Sequence, residues 1–189
     1  MVDAGGSDAS WPHGYKWALQ TAAMLAKYDV TWFEEPLRPD DLEGYIKLTE
    51  HAPVPIAGCE VLTRRQSFLP WLERRAIDYV QPDVTKVGGL TEEFRIAQCA
   101  DDHSILFVPH GWNTAVGLAA DLQLVSAAAT ARWVEYITPA PYVEELLVDP
   151  VQMDADGLIA IPDGPGLGMK WNVEAIARFT GGPTLTPDS

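Results

Sequence analysis

Short apolar runs alternate with longer amphipathic segments along most of the chain, and this alternation predicts an α/β fold. The apolar runs have the length of buried strands and cover residues 1–3, 30–33, 54–59, 77–82, 105–109 and 132–134. The segments between them have helical spacing and predict helices over 15–25, 63–74, 90–102 and 115–129, with another that begins near 40–43. A repeated strand–loop–helix unit builds a parallel sheet or barrel, so we expect a partial TIM-type barrel with about six of its strands.

The pattern changes near residue 139. The turn sequence at 154–157 lies between two short stretches of strand-like sequence and predicts a small hairpin, and the glycine-rich run at 163–168 predicts a loop. One short helix is predicted near 173–179. We therefore divide the chain into a barrel portion, residues 1–139, and an irregular C-terminal extension, residues 140–189.

A charged or titratable side chain stands at the end of every predicted strand. With Glu34 taken for the second strand, these residues follow one another at intervals of 23 to 31 residues, about one strand-plus-helix unit. The carboxyl ends of barrel strands meet at one mouth, where catalytic groups are usually found. The residues expected there are Asp3, Glu34 with its neighbour Glu35, Glu60, Asp83, His110 and Glu135.

Asp3, Glu34 and Glu60 are candidate metal ligands. Carboxylate oxygens are the hard donors that Mg²⁺ takes, with water or substrate completing its coordination. The alternative is that each carboxylate caps a helix or pairs with an arginine, but unpaired acids gathered at one mouth repel each other strongly. Alternation along the strand sends Glu35 to the side opposite Glu34.

Asp83 and His110 follow adjacent strands and are a candidate acid–base pair. A carboxylate bonded to one imidazole nitrogen fixes the tautomer and raises the pKa of the other nitrogen, which makes a general base. Lys86 either approaches the mouth or caps the preceding loop, and the sequence does not separate the two. The other histidines lie away from strand ends and are expected at the surface.

Composition narrows the class of protein. A net charge of −14 argues against a nucleic-acid partner, because phosphate binding needs a basic face. No apolar run of membrane-spanning length and no signal peptide are visible in the sequence. Cys59 and Cys99 are expected to be free thiols in a reducing compartment, which favours a cytoplasmic enzyme acting on a small molecule.

Several motifs together resemble the enolase superfamily, and within it the mandelate racemase subgroup. They are Val2-Asp3-Ala4, Trp32-Phe33-Glu34-Glu35-Pro36, Ala57-Gly58-Cys59-Glu60, Gln81 to Gly89, and Pro109-His110-Gly111-Trp112. The resemblance implies a modified (β/α)₇β barrel under an N-terminal capping domain. It also implies Asp3, Glu34 and Glu60 as Mg²⁺ ligands, His110 as a base oriented by Asp83, and Glu135 as a hydrogen-bond partner of the substrate.

The resemblance further implies the reaction. The muconate-lactonising subgroup has a lysine where this chain has Asp83 and an aspartate where it has Glu60, so both positions favour the racemase side. The implied chemistry is Mg²⁺-dependent removal of the α-proton of a carboxylate through a metal-stabilised enediolate, with dehydration of a sugar acid as the expected outcome. The alternatives are a racemase, epimerase or cycloisomerase of the same superfamily, and a non-catalytic barrel remnant.

The family's Lys-x-Lys motif lies on the strand before the first metal ligand, and none of the five lysines here forms such a pair. The capping domain has no counterpart in the sequence either. We therefore expect the chain to be the C-terminal portion of a longer enzyme. Unpaired barrel edges would favour self-association, so a homo-oligomer is expected.

Overall fold

The computed structural model describes residues 1–8, 10–137 and 139–180, and its centre is a parallel sheet. The strands found there are β1 (Val2–Asp3), β2 (Phe33–Glu34), β3 (Ile56–Gly58), β4 (Tyr79–Val80) and β5 (Leu106–Phe107). They are hydrogen bonded in sequence order, and each neighbouring pair is parallel. This is the arrangement of a partial (β/α) barrel, as the sequence predicts.

Helices follow the strands in the expected places. They are α1 (Tyr15–Leu25), α2 (Leu42–His51), α3 (Arg64–Glu73), α4 (Val84–Val87), α5 (Leu90–Asp102), α6 (Ala115–Ala127), α7 (Pro141–Glu144) and α8 (Val173–Thr180), with a 3₁₀ turn at Ala26–Tyr28. The bounds of α1 and α5 are those predicted. The short helices α4 and α7 were not predicted, and α4 begins where the Asp83 side chain accepts a hydrogen bond from the Thr85 backbone N–H.

Alternation along the strands divides the apolar side chains between two faces of the sheet. On the outer face Phe33, Ile56 and Phe107 join the large cluster that the helices cover. On the inner face a smaller cluster contains Trp32, Ala57, Tyr79 and Val108. The outer cluster packs the helices against the sheet. The inner cluster occupies the interior face of the sheet, below the mouth.

The sixth predicted strand is absent from the part of the chain that the structure describes, because residues 131–137 are irregular. The segment nevertheless runs close to the loop after β5, where its Glu135 accepts a hydrogen bond from the Gly111 backbone N–H. An extended segment becomes a strand only when its backbone bonds regularly to a neighbour. Here the contact with the loop after β5 is made by the Glu135 side chain and not by a ladder of backbone hydrogen bonds.

The extension contains the predicted features in short form. An antiparallel bridge joins Met153 to Ile159 on either side of the predicted turn, and α8 spans the region of the predicted helix. Residues 181–189 of the predicted extension lie outside the described residues. Of the helices in the described ranges, none is both long and apolar enough to span a membrane.

Candidate active site

The sheet register places the first two acids side by side. Asp3 is the register partner of Glu34, so their side chains leave neighbouring strands at the same level. Glu60 follows the end of β3, and Asp83 and His110 follow the ends of β4 and β5. All five residues therefore stand at the carboxyl edge of the sheet, where barrel active sites form.

Asp83 and His110 are joined by a hydrogen bond. The Nδ1 atom of His110 lies 2.8 Å from Oδ2 of Asp83, and both side chains are buried. The other oxygen of Asp83 accepts from the backbone N–H and the hydroxyl of Thr85, at 2.8 Å and 2.6 Å. Burial alone raises the pKa of Asp83, but these hydrogen bonds outweigh it and bring the pKa below its ordinary value.

Lys86 approaches the mouth, which decides between the two placements that the sequence left open. Its Nζ atom lies 3.2 Å from Oδ2 of Asp83 and 3.8 Å from Oε1 of Glu60. Lys86 lies one helical turn after Asp83, the residue that caps α4, so its side chain reaches the Asp83 carboxylate. The ammonium group therefore helps to keep Asp83 ionised.

His110 bridges two carboxylates. Its Nε2 atom lies 3.1 Å from Oε2 of Glu60, on the ring side opposite Asp83. Burial lowers the pKa of His110, but the hydrogen bonds to Asp83 and Glu60 outweigh burial and raise it to about 10. Both contacts favour the imidazolium form, and loss of the Glu60 contact would favour the neutral imidazole that a base requires.

Glu34 and Glu135 share a second region of the mouth. Oε2 of Glu34 accepts from the Trp32 indole at 2.9 Å, and Oε1 of Glu135 accepts from the Gln81 amide at 2.8 Å. Burial and the repulsion of Glu135 raise the pKa of Glu34 to about 7. The predicted substrate contact Glu135 is thus close enough to Glu34 for their charges to interact.

Asp3 and Glu35 complete the acidic lining. Oδ1 of Asp3 accepts from the Gly5 backbone N–H, and Oε2 of Glu35 accepts from the Ser7 backbone N–H. Glu35 therefore turns to the loop after β1, yet burial and the charge of Glu60 raise its pKa to about 7. Asp3 is exposed, but partial desolvation by its neighbours raises its pKa, with a smaller contribution from the charge of Glu60.

The three predicted metal ligands stand at one edge of the sheet, but they do not form a closed ligand set. Among the described residues, no group of three or more His, Cys, Asp or Glu side chains is arranged to hold a metal ion. Glu60 is turned to His110 and Lys86, whereas Asp3 and Glu34 are register neighbours. The donor set fits Mg²⁺ in its chemistry, because a divalent cation stabilises neighbouring carboxylates that otherwise repel one another, and Glu34 among them is buried.

Two cavities open on either side of the mouth. The larger, about 480 Å³, contains Glu34 and Glu135, and the smaller, about 180 Å³, contains Glu35, Glu60 and Lys86. Asp3, His110 and Trp112 line both. A small carboxylate held between the cavities would therefore contact the candidate base and the candidate ligands together.

Several residues at the site were not assigned roles from the sequence. The Gln81 amide bonds to Glu135, and Trp112 is 72% exposed at the junction of the cavities. Gln81 is close in sequence to Asp83, and Trp112 is close to His110. This closeness was the sequence feature that could have identified them as residues of the site. Glu93 and Asp121, fully buried beneath the pair, had no such signal because they lie within helices.

The sequence and fold match known proteins over most of the chain. The enolase C-terminal domain-like family matches residues 1–176. A D-galactarolactone cycloisomerase from Agrobacterium fabrum is 34% identical over 95% of this chain and 48% of its own length. A D-xylonate dehydratase from Haloferax volcanii is 31% identical over 94% of this chain and 43% of its own length.

A solved structure agrees with these matches. An enolase from Bradyrhizobium, crystallised with magnesium and mandelic acid, superposes with a TM-score of 0.78 and 29% identity, over 94% of this chain and 45% of that one. The chain thus spans about half the length of the relatives it matches. It belongs to the enolase superfamily, as a C-terminal barrel portion of the mandelate racemase and muconate lactonizing enzyme family.

Proposed function

We propose that this chain carries acid–base residues of a Mg²⁺-dependent enzyme that removes the α-proton of a sugar acid and eliminates water. The observation that carries the proposal is the buried Asp83–His110 hydrogen bond beside acidic side chains at the carboxyl edge of the sheet. A histidine oriented in this way is a general base, and its carboxylate partner fixes the tautomer. The dehydratase relative supports the choice of reaction.

The proton steps follow from the two sides of the His110 ring. Nδ1 is bonded to Asp83, so Nε2 is the atom that would take the α-proton once Glu60 has left it. Thr85 and Lys86 hold Asp83 as a carboxylate, which stabilises the imidazolium formed in this step. His110 would then return the proton to the departing hydroxyl group, so that water is lost.

Asp3, Glu34 and Glu60 would hold the Mg²⁺ ion, as a structural relative crystallised with magnesium supports. When bound, the ion would neutralise the negative charge that develops on the substrate carboxylate. Glu135, fixed by Gln81 and Gly111 beside the larger cavity, would hydrogen bond the substrate.

Cycloisomerisation is the second candidate. The cycloisomerase relative is the more similar of the two relatives described above, at 34% identity. The two reactions differ in product, because dehydration lowers the mass by one water whereas isomerisation leaves it unchanged. Product analysis therefore separates them directly.

The test uses the protein that carries this chain, incubated with Mg²⁺ and a panel of sugar acids and their lactones in D₂O. We expect exchange of the substrate α-proton, seen by NMR, together with either a dehydrated or an isomerised product, seen by mass spectrometry. A chelator should abolish both signals. If the folded protein with Mg²⁺ gives neither exchange nor turnover across the panel, the non-catalytic alternative is correct.

A further inference from the structure

Two acids that the proposed mechanism does not use are buried behind Asp83. Glu93 lies in the first turn of α5 and Asp121 lies in the middle of α6, and both are 0% exposed. Within the described ranges, none of their four carboxyl oxygens has a hydrogen-bond partner. A buried polar atom without a partner is rare, because its desolvation is not compensated.

The surroundings of these two residues contain more negative charge. Glu93 faces Asp121, Asp83 and His110, and Asp121 faces Asp83, His110 and Glu135. His110 is the cation that faces both acids, and Asp83 and Glu60 already engage its two nitrogens. Among the residues that the structure describes, two further carboxylates would therefore lie in a buried region with negative neighbours and no cation of their own.

Asp83 itself does not need these acids as hydrogen-bond donors. Its oxygens already lie within bonding distance of Thr85, His110 and Lys86. The Asn113 side chain is close enough to Asp121 to lower its pKa, but the two groups do not have the geometry of a hydrogen bond, and the Asn113 amide oxygen is also buried without a partner. The influence of the two acids on Asp83 is consequently electrostatic.

The protonated form removes this conflict. Two buried carboxylates near a third would repel strongly, whereas two carboxylic acids are neutral and can donate hydrogen bonds. Burial, followed by the charges of neighbouring acids, raises the pKa of Glu93 to about 9 and that of Asp121 to about 8.

We propose that Glu93 and Asp121 form a neutral, proton-holding pair of positioning residues, which leaves Asp83 as the negative charge at the Nδ1 side of His110. The positioning role rests on the proposed function of the Asp83–His110 pair. The protonation of Glu93 and Asp121 is independent of that function. Ionisation of either acid would add negative charge behind the pair.

Infrared spectroscopy of the protein that carries this chain tests the protonation. At neutral pH the double variant Glu93→Gln with Asp121→Asn should lose carbonyl absorption of protonated carboxylic acids. Asp102→Asn, which changes an exposed acid on the same helix, should not. An unchanged carboxylic-acid band in a folded double variant overturns the proposal, as does evidence that added Ca²⁺ or K⁺ binds at the two acids.

Unfolding measurements provide a second test that does not require catalysis. Because the folded pKa of each acid is raised above its unfolded value, the folded state holds the extra protons and loses stability as pH rises toward the folded pKa. Between about pH 5 and pH 9, the unfolding midpoint of the wild type should therefore fall relative to that of the double variant. Each single variant should show part of this effect, and parallel profiles would refute the proposal.

Turnover tests the positioning role. The ratio of wild-type to double-variant kcat/KM should stay constant near pH 7 and fall above about pH 8, because only the wild type can ionise there. A ratio independent of pH overturns the role. Absence of turnover in the wild type would refute the proposed function, and the positioning role with it, while the infrared band and the unfolding profiles still decide the protonation.

Discussion

His110 takes its charge from the two carboxylates that flank it. Asp83 lies 2.8 Å from Nδ1 and Glu60 lies 3.1 Å from Nε2. These contacts raise the pKa of His110 from 6.5 to about 10, despite burial. The stability that they contribute is fully present below pH 6.5 and is lost as pH rises through about 10. Loss of the Glu60 contact would therefore shift His110 toward the neutral form that can act as a base.

Mg²⁺ binding should lower the pKa of His110. If Glu60 becomes a metal ligand, it no longer accepts from Nε2, and the imidazole loses one of its two stabilising partners. An NMR titration of the imidazole resonances with and without Mg²⁺ measures the change, and Glu60→Gln should give a similar decrease without the metal. Resonances of the exposed His51 should not respond to Mg²⁺. A His110 pKa that Mg²⁺ leaves unchanged would remove Glu60 from the ligand set.

Replacing His110 should abolish proton abstraction on its face of the substrate. His110→Asn keeps a polar side chain but removes the base, and general-base catalysis typically contributes about 10²- to 10⁴-fold. We expect a loss of this size in α-proton exchange, followed by NMR in D₂O, with Mg²⁺ binding nearly intact. His51→Asn, at an exposed helix end, is the matched control. Exchange at the wild-type rate would show that another group is the base.

At the scale of elements, the loop after β5 depends on close contact with residues 131–137. A Cβ atom at Gly111 would lie 2.5 Å from the Cβ of Glu135 and 2.6 Å from its backbone oxygen. The Gly111 backbone N–H also donates to Oε2 of Glu135 at 2.6 Å. This contact therefore holds the candidate substrate-binding residue beside the candidate base.

Gly111→Ala should separate the two segments. Overpacking of this kind typically costs about 1–3 kcal/mol, and the displacement of Glu135 should also weaken substrate binding. Chemical denaturation and KM measure the two effects. Gly58→Ala is the control, because a Cβ atom there would approach no atom closer than 3.6 Å. Equal stabilities of the two variants would contradict this account of the loop.

For the whole molecule, the described sheet has two unpaired edges, β1 and β5. Trp133 is 41% exposed, and it packs on Trp32 and Tyr79 of the inner apolar cluster. Open edges beside exposed apolar surface favour association. The net charge of −14 opposes association through repulsion that salt screens.

The 189-residue polypeptide on its own should therefore self-associate, and more strongly at high salt. Analytical ultracentrifugation over a range of protein and salt concentrations measures this. Trp133→Lys should reduce association, whereas Tyr28→Lys, at a residue that is 71% exposed near the end of α1, should not. A monomer under all these conditions would show that the edges and the apolar surface are better protected than their exposure suggests.

The periodic pattern of apolar residues was sufficient to predict the parallel α/β architecture. α1 and α5 have the predicted bounds because their apolar spacing is regular and their boundaries are marked by local sequence. The strand-end acids could be found because the chain repeats one structural unit, so position in the repeat predicts position in space. The prediction of a strand at 132–134 was wrong, since three residues of suitable composition do not specify a hydrogen-bonding neighbour.

The sequence by itself determined the repeat, the acidic mouth and the pairing of chemically suitable residues, because these follow from local pattern and register. Only the tertiary structure decided the further partners of these charges, beyond the predicted Asp83–His110 pair. Glu60 lies 3.1 Å from Nε2 of His110 and 3.8 Å from Nζ of Lys86, which sequence position does not specify. Glu93 resembled an ordinary first-turn acid, yet α6 packs over it and brings Asp121 to its side. The partners of a charged group and its burial depend on how segments that are distant in sequence pack together. The local pattern of apolar and polar residues does not specify the distances between such segments.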